Sequence, residues 1–207
     1  FDEPGPGEAV TRLLSIATPE PLAPPGTTAT GDGPSGAASA GPAAILRPVI
    51  SGNGAFVAFG SVATNLAVED PIPGEPLLMD FNFGFDVFKA SVDGKRLSLV
   101  SIIPDLTGTG GFGSSSASNP SLSRDGGAVA FQSTHSNLVS ADAGGVDDTN
   151  GVQDIFVGGG SAPVVMVSVN REGKNGGDGS SREPAISRNA RHVAFFSTAS
   201  NLVKVDG

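Results

Sequence analysis

The residues most capable of chemistry in this 207-residue chain are acids and amides that recur in the pattern Asp-x-Asn-x-x-x-Asp. In calcium-binding loops, alternating carboxylate and amide oxygens wrap a hard cation, a glycine permits the sharp turn, and a later acid closes the shell. The pattern occurs twice and opens a third time at the end of the chain, which makes the candidate metal ligands Asp80, Asn82, Asp86, Asp148, Asn150, Asp154 and Asp206. One interpretation is therefore that Ca²⁺ is a cofactor bound at these loops.

A second interpretation of the same residues is structural, and the number of available ligands favours it. Val146 stands where a full-length calcium loop usually has its first acid, and Phe83 stands where the first copy needs a glycine. In this interpretation each asparagine begins an Asx turn that leads into a strand. Asp86 and Asp154 then accept backbone N–H bonds that hold neighbouring structural units together.

The elements that position these residues repeat along the chain. Three copies of one pattern, a short apolar stretch, a turn and Val-Ala-Phe-x-Ser, begin at Pro48, Pro120 and Pro184. Each copy predicts a β-hairpin. Two more strands are predicted after each of the first two hairpins, at residues 86–90 with 97–102 and at residues 154–157 with 164–169. Four antiparallel strands per unit, with neighbouring units covering each other, predict the blades of a β-propeller.

The predicted fold class is thus all-β, with about three four-stranded propeller repeats in one segment that spans residues 1–207. Both ends of the chain interrupt a repeat, which leads us to expect part of a larger propeller, since closed rings have about four to eight blades. The predicted parts are the end of a preceding blade (1–16), a loop rich in Ala, Pro and Gly (17–44), two blades (45–103 and 117–169) and the start of a further blade (182–207).

Catalytic residues are not predicted. His135 and His192 stand where other copies of the repeat have alanine or phenylalanine, so we expect both at the surface or rim. The Gly-x-Ser-x-Gly pattern of hydrolases does not occur. Gly-x-Gly-x-x-Gly begins at Gly31 and at Gly108, but neither match leads into a predicted helix that could hold a phosphate. We therefore expect a protein without enzymatic activity.

The repeated phenylalanines could form either an aromatic binding stripe or a core. Their positions inside the predicted strands favour a core between neighbouring blades. The chain has no Trp and no Tyr, which weakens an aromatic recognition surface further. The predicted core residues are Phe59, Phe88, Phe131, Phe156 and Phe195.

Composition narrows the range of partners. The chain has 12 Lys and Arg against 21 Asp and Glu, a net charge of −9, which disfavours nucleic acid because binding a polyanion needs a basic surface. No apolar run approaches the roughly 20 residues that span a bilayer, so we expect no membrane insertion. The loops between the second and third strands carry insertions at 71–79 and 143–147, where partners of repeat proteins usually bind.

The order Pro-x-Ile/Leu-Ser, Val-Ala-Phe-x-Ser-x-x-x-Asn-Leu-Val and Asp-x-Asn-Gly-x-x-Asp-Ile-Phe-Val resembles the bacterial TolB-like (WD40-like) β-propeller repeat. The resemblance covers most of the chain apart from its loops. It implies an exported protein, periplasmic, cell-surface or extracellular, that binds protein, peptide or glycan partners. We expect a non-catalytic binding or scaffolding module with calcium at the blade rims. The alternatives are an accessory propeller of a hydrolase whose catalytic domain lies outside this chain, and a self-assembling surface-layer or appendage component that forms homo-oligomers.

Overall fold

The computed structural model describes residues 47–64, 66, 84–102, 116–139, 146–159 and 163–203. This part of the chain is all-β, as predicted, and contains no helix. It accordingly holds no helix of the length and apolarity needed to cross a membrane. The strands are β1 (Val49–Ile50), β2 (Phe56–Ser61), β3 (Asp86–Ser91), β4 (Leu97–Leu99), β5 (Ala117–Leu122), β6 (Val129–Ser133), β7 (Asp154–Gly158), β8 (Val165–Met166), β9 (Ser181–Ile186) and β10 (Val193–Ser197).

The strands form two complete antiparallel sheets and a two-stranded third sheet. The first sheet has the order β1-β2-β3-β4, the second has the order β5-β6-β7-β8, and β9 pairs with β10. The prediction of antiparallel four-stranded units is confirmed. The two complete sheets share one register, because Phe59 pairs with Phe88 across β2 and β3, and Phe131 pairs with Phe156 across β6 and β7. The ring centroids of these two pairs lie 5.9 and 5.8 Å apart.

The fourth strand of each complete sheet is shorter than predicted, with three residues in β4 and two in β8. A serine side chain replaces the backbone at the point where the ladder stops. The backbone N–H of Val87 donates to the hydroxyl of Ser101 at 3.1 Å, and the N–H of Ile155 donates to the hydroxyl of Ser168 at 2.9 Å. A side-chain oxygen that competes for a strand N–H ends the regular pairing early.

The hairpin turns share one hydrogen-bonded geometry. In the turn between β5 and β6, the Ser123 hydroxyl donates to Asp125 Oδ1 at 2.8 Å and accepts the N–H of Ala128 at 3.0 Å. Asp125 Oδ1 also accepts the N–H of Gly127 at 3.0 Å. The intervening Gly126 has a φ of 72°, in the left-handed region that suits glycine. The same pattern recurs in the turns that begin at Ser51, Ser91 and Ser187.

Ala190 occupies the glycine position of this turn in the third sheet, with a φ of 58°. Because a Cβ makes the left-handed region unfavourable, we expect Ala190→Gly to raise the free energy of unfolding by about 1 kcal/mol in a urea titration. Gly54→Ala is the reverse control. Gly54 has a φ of 73°, and a Cβ added there would have no heavy atom within 4 Å. Gly54→Ala should therefore lower the free energy of unfolding by a similar amount. A gain from Gly54→Ala would contradict this explanation.

The main core lies between the first and second sheets. Ala58 and Val87 of the first sheet share one buried cluster with Phe131 and Phe156 of the second. Phe59 and Phe88 belong to a separate cluster with Ala90, Leu97 and Leu99. Since successive strand residues point to opposite faces, the phenylalanine face of the second sheet packs on the alanine and valine face of the first. The predicted burial of Phe59, Phe88, Phe131 and Phe156 is confirmed, whereas Phe195 is only partly buried.

Candidate functional site

Asp154, the first residue of β7, is fully buried and is held by two side chains. The Ser168 hydroxyl donates to its Oδ1 at 2.5 Å, and Asn150 Nδ2 donates to its Oδ2 at 2.6 Å. Burial raises the pKa of Asp154, and these two hydrogen bonds oppose the shift. The structural interpretation of the sequence was therefore wrong about the hydrogen-bond partners of Asp154, which are side-chain groups rather than backbone N–H groups.

Asn150 fastens the loop before β7 to the connector that leads to the third sheet. Its Oδ1 accepts the N–H of Val152 at 2.9 Å, which confirms the predicted Asx turn. Its Nδ2 also donates to the carbonyl oxygen of Gly177 at 2.8 Å. Beside it, the Thr149 hydroxyl donates to Asn175 Oδ1 at 3.0 Å. The loop and the connector thus form one joint between consecutive units of the repeat.

Asp148 is the residue of this loop whose bonding is incomplete. Its side chain is only 5% exposed, and neither carboxylate oxygen has a hydrogen-bond partner. Burial first, and the charge of Asp154 second, raise the pKa of Asp148 to about 7, while the nearby backbone N–H of Asn150 opposes the shift without forming an aligned hydrogen bond. A buried carboxylate without partners is costly, so Asp148 needs either a proton or a cation.

The first sheet repeats part of this arrangement. Asp86 opens β3, is fully buried, and accepts a short hydrogen bond from the Ser101 hydroxyl. Asp86 and Asp154 therefore each accept a hydrogen bond from a serine at the corresponding position of their own sheet. The other candidate ligands of the first and third copies, Asp80, Asn82 and Asp206, lie outside the described residues. Of the predicted ligands, the structure brings Asp148, Asn150 and Asp154 together.

The sequence did not identify the serine partners, Gly176 or the carbonyl oxygen of Gly177 as contributors to the site. The serine partners could have been found, because Ser101 and Ser168 follow Asp86 and Asp154 by 15 and 14 residues in both copies. Gly176 carries no such signal. A Cβ at Gly176 would collide with the Asn150 amide and lie 3.0 Å from Asp154 Oδ2, so the connector passes against the cluster with no room for a side chain.

The expectation that His135 lies at the surface or rim was wrong, because its side chain is 1% exposed. The Ser133 hydroxyl accepts the N–H of His135 at 3.0 Å and turns the chain inward after β6. Ser61 and Ala63 form the same turn after β2, and Ala63 is fully buried. This position of the repeat is therefore a core position. His192 is exposed, as predicted.

The ligand count limits what the acidic cluster can bind. Within the residues that the structure places, no group of three or more His, Cys, Asp or Glu side chains could hold a metal ion. The cluster offers two carboxylates, of Asp148 and Asp154, with the amide of Asn150 and the carbonyl of Gly177 beside them. An all-oxygen set of this kind suits hard cations rather than zinc or copper.

The resemblance to the TolB-like repeat stays a prediction. No protein-family model matches the chain, and a search of curated proteins finds no match to it.

Proposed function

We propose that this chain is a non-catalytic binding or scaffolding module, built from consecutive blades of a TolB-like β-propeller, in an exported or cell-surface protein. The observation that carries the proposal is the packing of two four-stranded sheets of identical strand order, the aromatic face of one on the small-residue face of the other. The third sheet begins with the same hairpin. Sheets that cover each other in series are the building principle of propellers.

The accessibility of the acids and serines supports a non-catalytic role. A general acid or base must reach the proton that it transfers, yet Asp86, Asp148 and Asp154 are buried. Asp86 and Asp154 also accept hydrogen bonds from buried serines. The serines of the hairpin turns donate to Asp or Asn and accept a backbone N–H, as Ser123 does. These side chains hold the framework together.

The antiparallel strand order places the connections between strands at two opposite ends of each sheet. The short turns β1–β2 and β3–β4 lie at one end, and the chain between Ser61 and Asp86 leaves from the other end. The insertions at 71–79 and 143–147 belong to connections of this second kind. Variable loops that share one side of a repeat array form its usual binding face. We assign the binding of a protein, peptide or glycan partner to the end of the sheets from which these longer connections leave.

Binding of the purified chain to peptide and glycan arrays tests the proposal. Replacement of residues 71–79 by a Gly-Ser linker of equal length should weaken binding of the selected ligand at least tenfold. Lys95→Ala, in the exposed β3–β4 turn at the opposite end of the sheet, is the matched control and should bind like the parent chain. A folded chain that selects no ligand from either array would contradict the binding function. Loss of binding in Lys95→Ala alone would contradict the assignment of the binding face to the end with the longer connections.

A further inference from the structure

We propose that Asp148, Asn150 and Asp154 bind one hard divalent cation of the calcium type, which locks the loop before β7 to the connector before β9. The lock deepens the proposed scaffolding function and rests on it, because it joins the second sheet to the start of the third. The cation would bridge groups that are distant in sequence, since Asn150 and its partner Gly177 are 27 residues apart.

The first argument is the unsatisfied carboxylate of Asp148. It is nineteen-twentieths buried, and both of its oxygens lack a hydrogen-bond partner. Along the described chain, no Lys or Arg forms an ion pair with it, and the neighbouring charge that acts on it is the like charge of Asp154. Buried carboxylates are normally paired or bound to a metal, because an isolated charge is expensive to desolvate. A cation supplies the missing positive charge for both acids.

The second argument is the convergence of oxygens beside Asp148. Asp154 Oδ2 and the Gly177 carbonyl oxygen lie 2.6 and 2.8 Å from one atom, Asn150 Nδ2. In this arrangement the Asn150 amide donates a hydrogen bond to each of the two oxygens and so supplies partial positive charge between them. A bound cation would displace the Nδ2 group, and Asn150 Oδ1 would offer the ion one lone pair while the other still accepts the N–H of Val152. Gly176 lets the connector backbone approach this cluster, since a Cβ there would collide with the Asn150 amide and lie 3.0 Å from Asp154 Oδ2.

The donor set indicates which cation binds. Two carboxylates, an amide oxygen and a backbone carbonyl match Ca²⁺, which accepts irregular shells completed by water. Mg²⁺ demands a more regular octahedron and gives up its water reluctantly. With only two acids in the shell, we expect a dissociation constant on the order of 10⁻⁴ to 10⁻³ M, as in extracellular calcium-binding modules.

Thermal unfolding of the full chain at pH 7.5 tests the site, with circular dichroism as the readout. Relative to EDTA, 10 mM Ca²⁺ should raise the melting temperature by about 3 to 6 °C, and 10 mM Mg²⁺ should raise it by less than half as much. Isothermal titration calorimetry should give one Ca²⁺ per chain. An unchanged melting temperature with Ca²⁺, or an equal effect of Mg²⁺, would overturn the proposal.

Asp148→Asn is the diagnostic variant. It keeps the shape of the side chain and removes the buried charge, so in EDTA it should melt at or above the temperature of the parent chain. The Ca²⁺-dependent rise should disappear. Asp147→Asn, one residue away and exposed, is the matched control and should keep the rise. Asp154→Ala is less informative, because it also removes the partner of Ser168 and Asn150.

The outcomes separate this site from the proposed function. A rise that survives in Asp148→Asn would place the ion elsewhere and overturn the site. A chain that binds its array ligand but shows no response to Ca²⁺ would overturn the cation lock alone. A chain with the Ca²⁺ response and no array ligand would support the lock while contradicting the binding function.

Discussion

Phe131→Ala is expected to lower the free energy of unfolding by about 3 to 5 kcal/mol, the usual cost of deleting a buried aromatic ring. Phe131 is completely buried, and its ring stacks on that of Phe156 in the same sheet. It also belongs to the cluster that contains Ala58 and Val87 of the first sheet. The deletion would therefore leave a cavity where the two sheets meet. Because the chain has no Trp and no Tyr, urea unfolding should be followed by circular dichroism.

Phe196→Ala is the matched control for this variant. Phe196 stands one position beyond the repeat equivalent of Phe131, on the opposite face of its strand, and it is 64% exposed. At this exposed position the Phe-to-Ala change should lower the free energy of unfolding by less than about 0.5 kcal/mol. Equal losses in the two variants would mean that the core does not lie between the first two sheets.

Gly126→Ala is expected to lower the free energy of unfolding by about 2 to 4 kcal/mol, from two causes that add. Gly126 has a φ of 72°, which disfavours any residue with a Cβ. The new Cβ would also lie 2.5 Å from Cδ2 of Phe56, much closer than real contacts allow. Since Gly126 is in a turn of the second sheet and Phe56 is in β2, the variant measures how tightly neighbouring sheets pack.

Gly94→Ala separates the two causes. Gly94 has a φ of 73° in the turn between β3 and β4, and no heavy atom lies within 4 Å of a built Cβ. We expect this variant to lose only about 1 kcal/mol, the conformational part. Adding Phe56→Ala to Gly126→Ala should recover part of the steric loss in a double-mutant cycle. Equal losses for Gly126→Ala and Gly94→Ala, with no coupling to Phe56, would count against close packing of the sheets.

The amino-acid sequence determined the local structure of this protein. Strand alternation and turn residues act over a few neighbours, so three copies of one hairpin pattern, with two further strands predicted after each of the first two, indicated an all-β chain with antiparallel four-stranded units. The burial of Phe59, Phe88, Phe131 and Phe156 could be predicted from their positions inside the strands. The Asx turn at Asn150 could be predicted for the same reason, because its hydrogen bond spans two residues.

The tertiary structure decided which polar groups have partners. Burial of His135 depends on an inward turn at Ser133 and on the core that this turn enters. Asp148 lies in a loop that pairs with the connector before β9, where Asp147 forms a bridge with Asn175 and the Thr149 hydroxyl donates to Asn175 Oδ1. These contacts join residues that are far apart in the chain, and no local periodicity encodes them. The sequence could therefore nominate the acids of the candidate site, but only the packing of loop against connector left one of them buried without a partner.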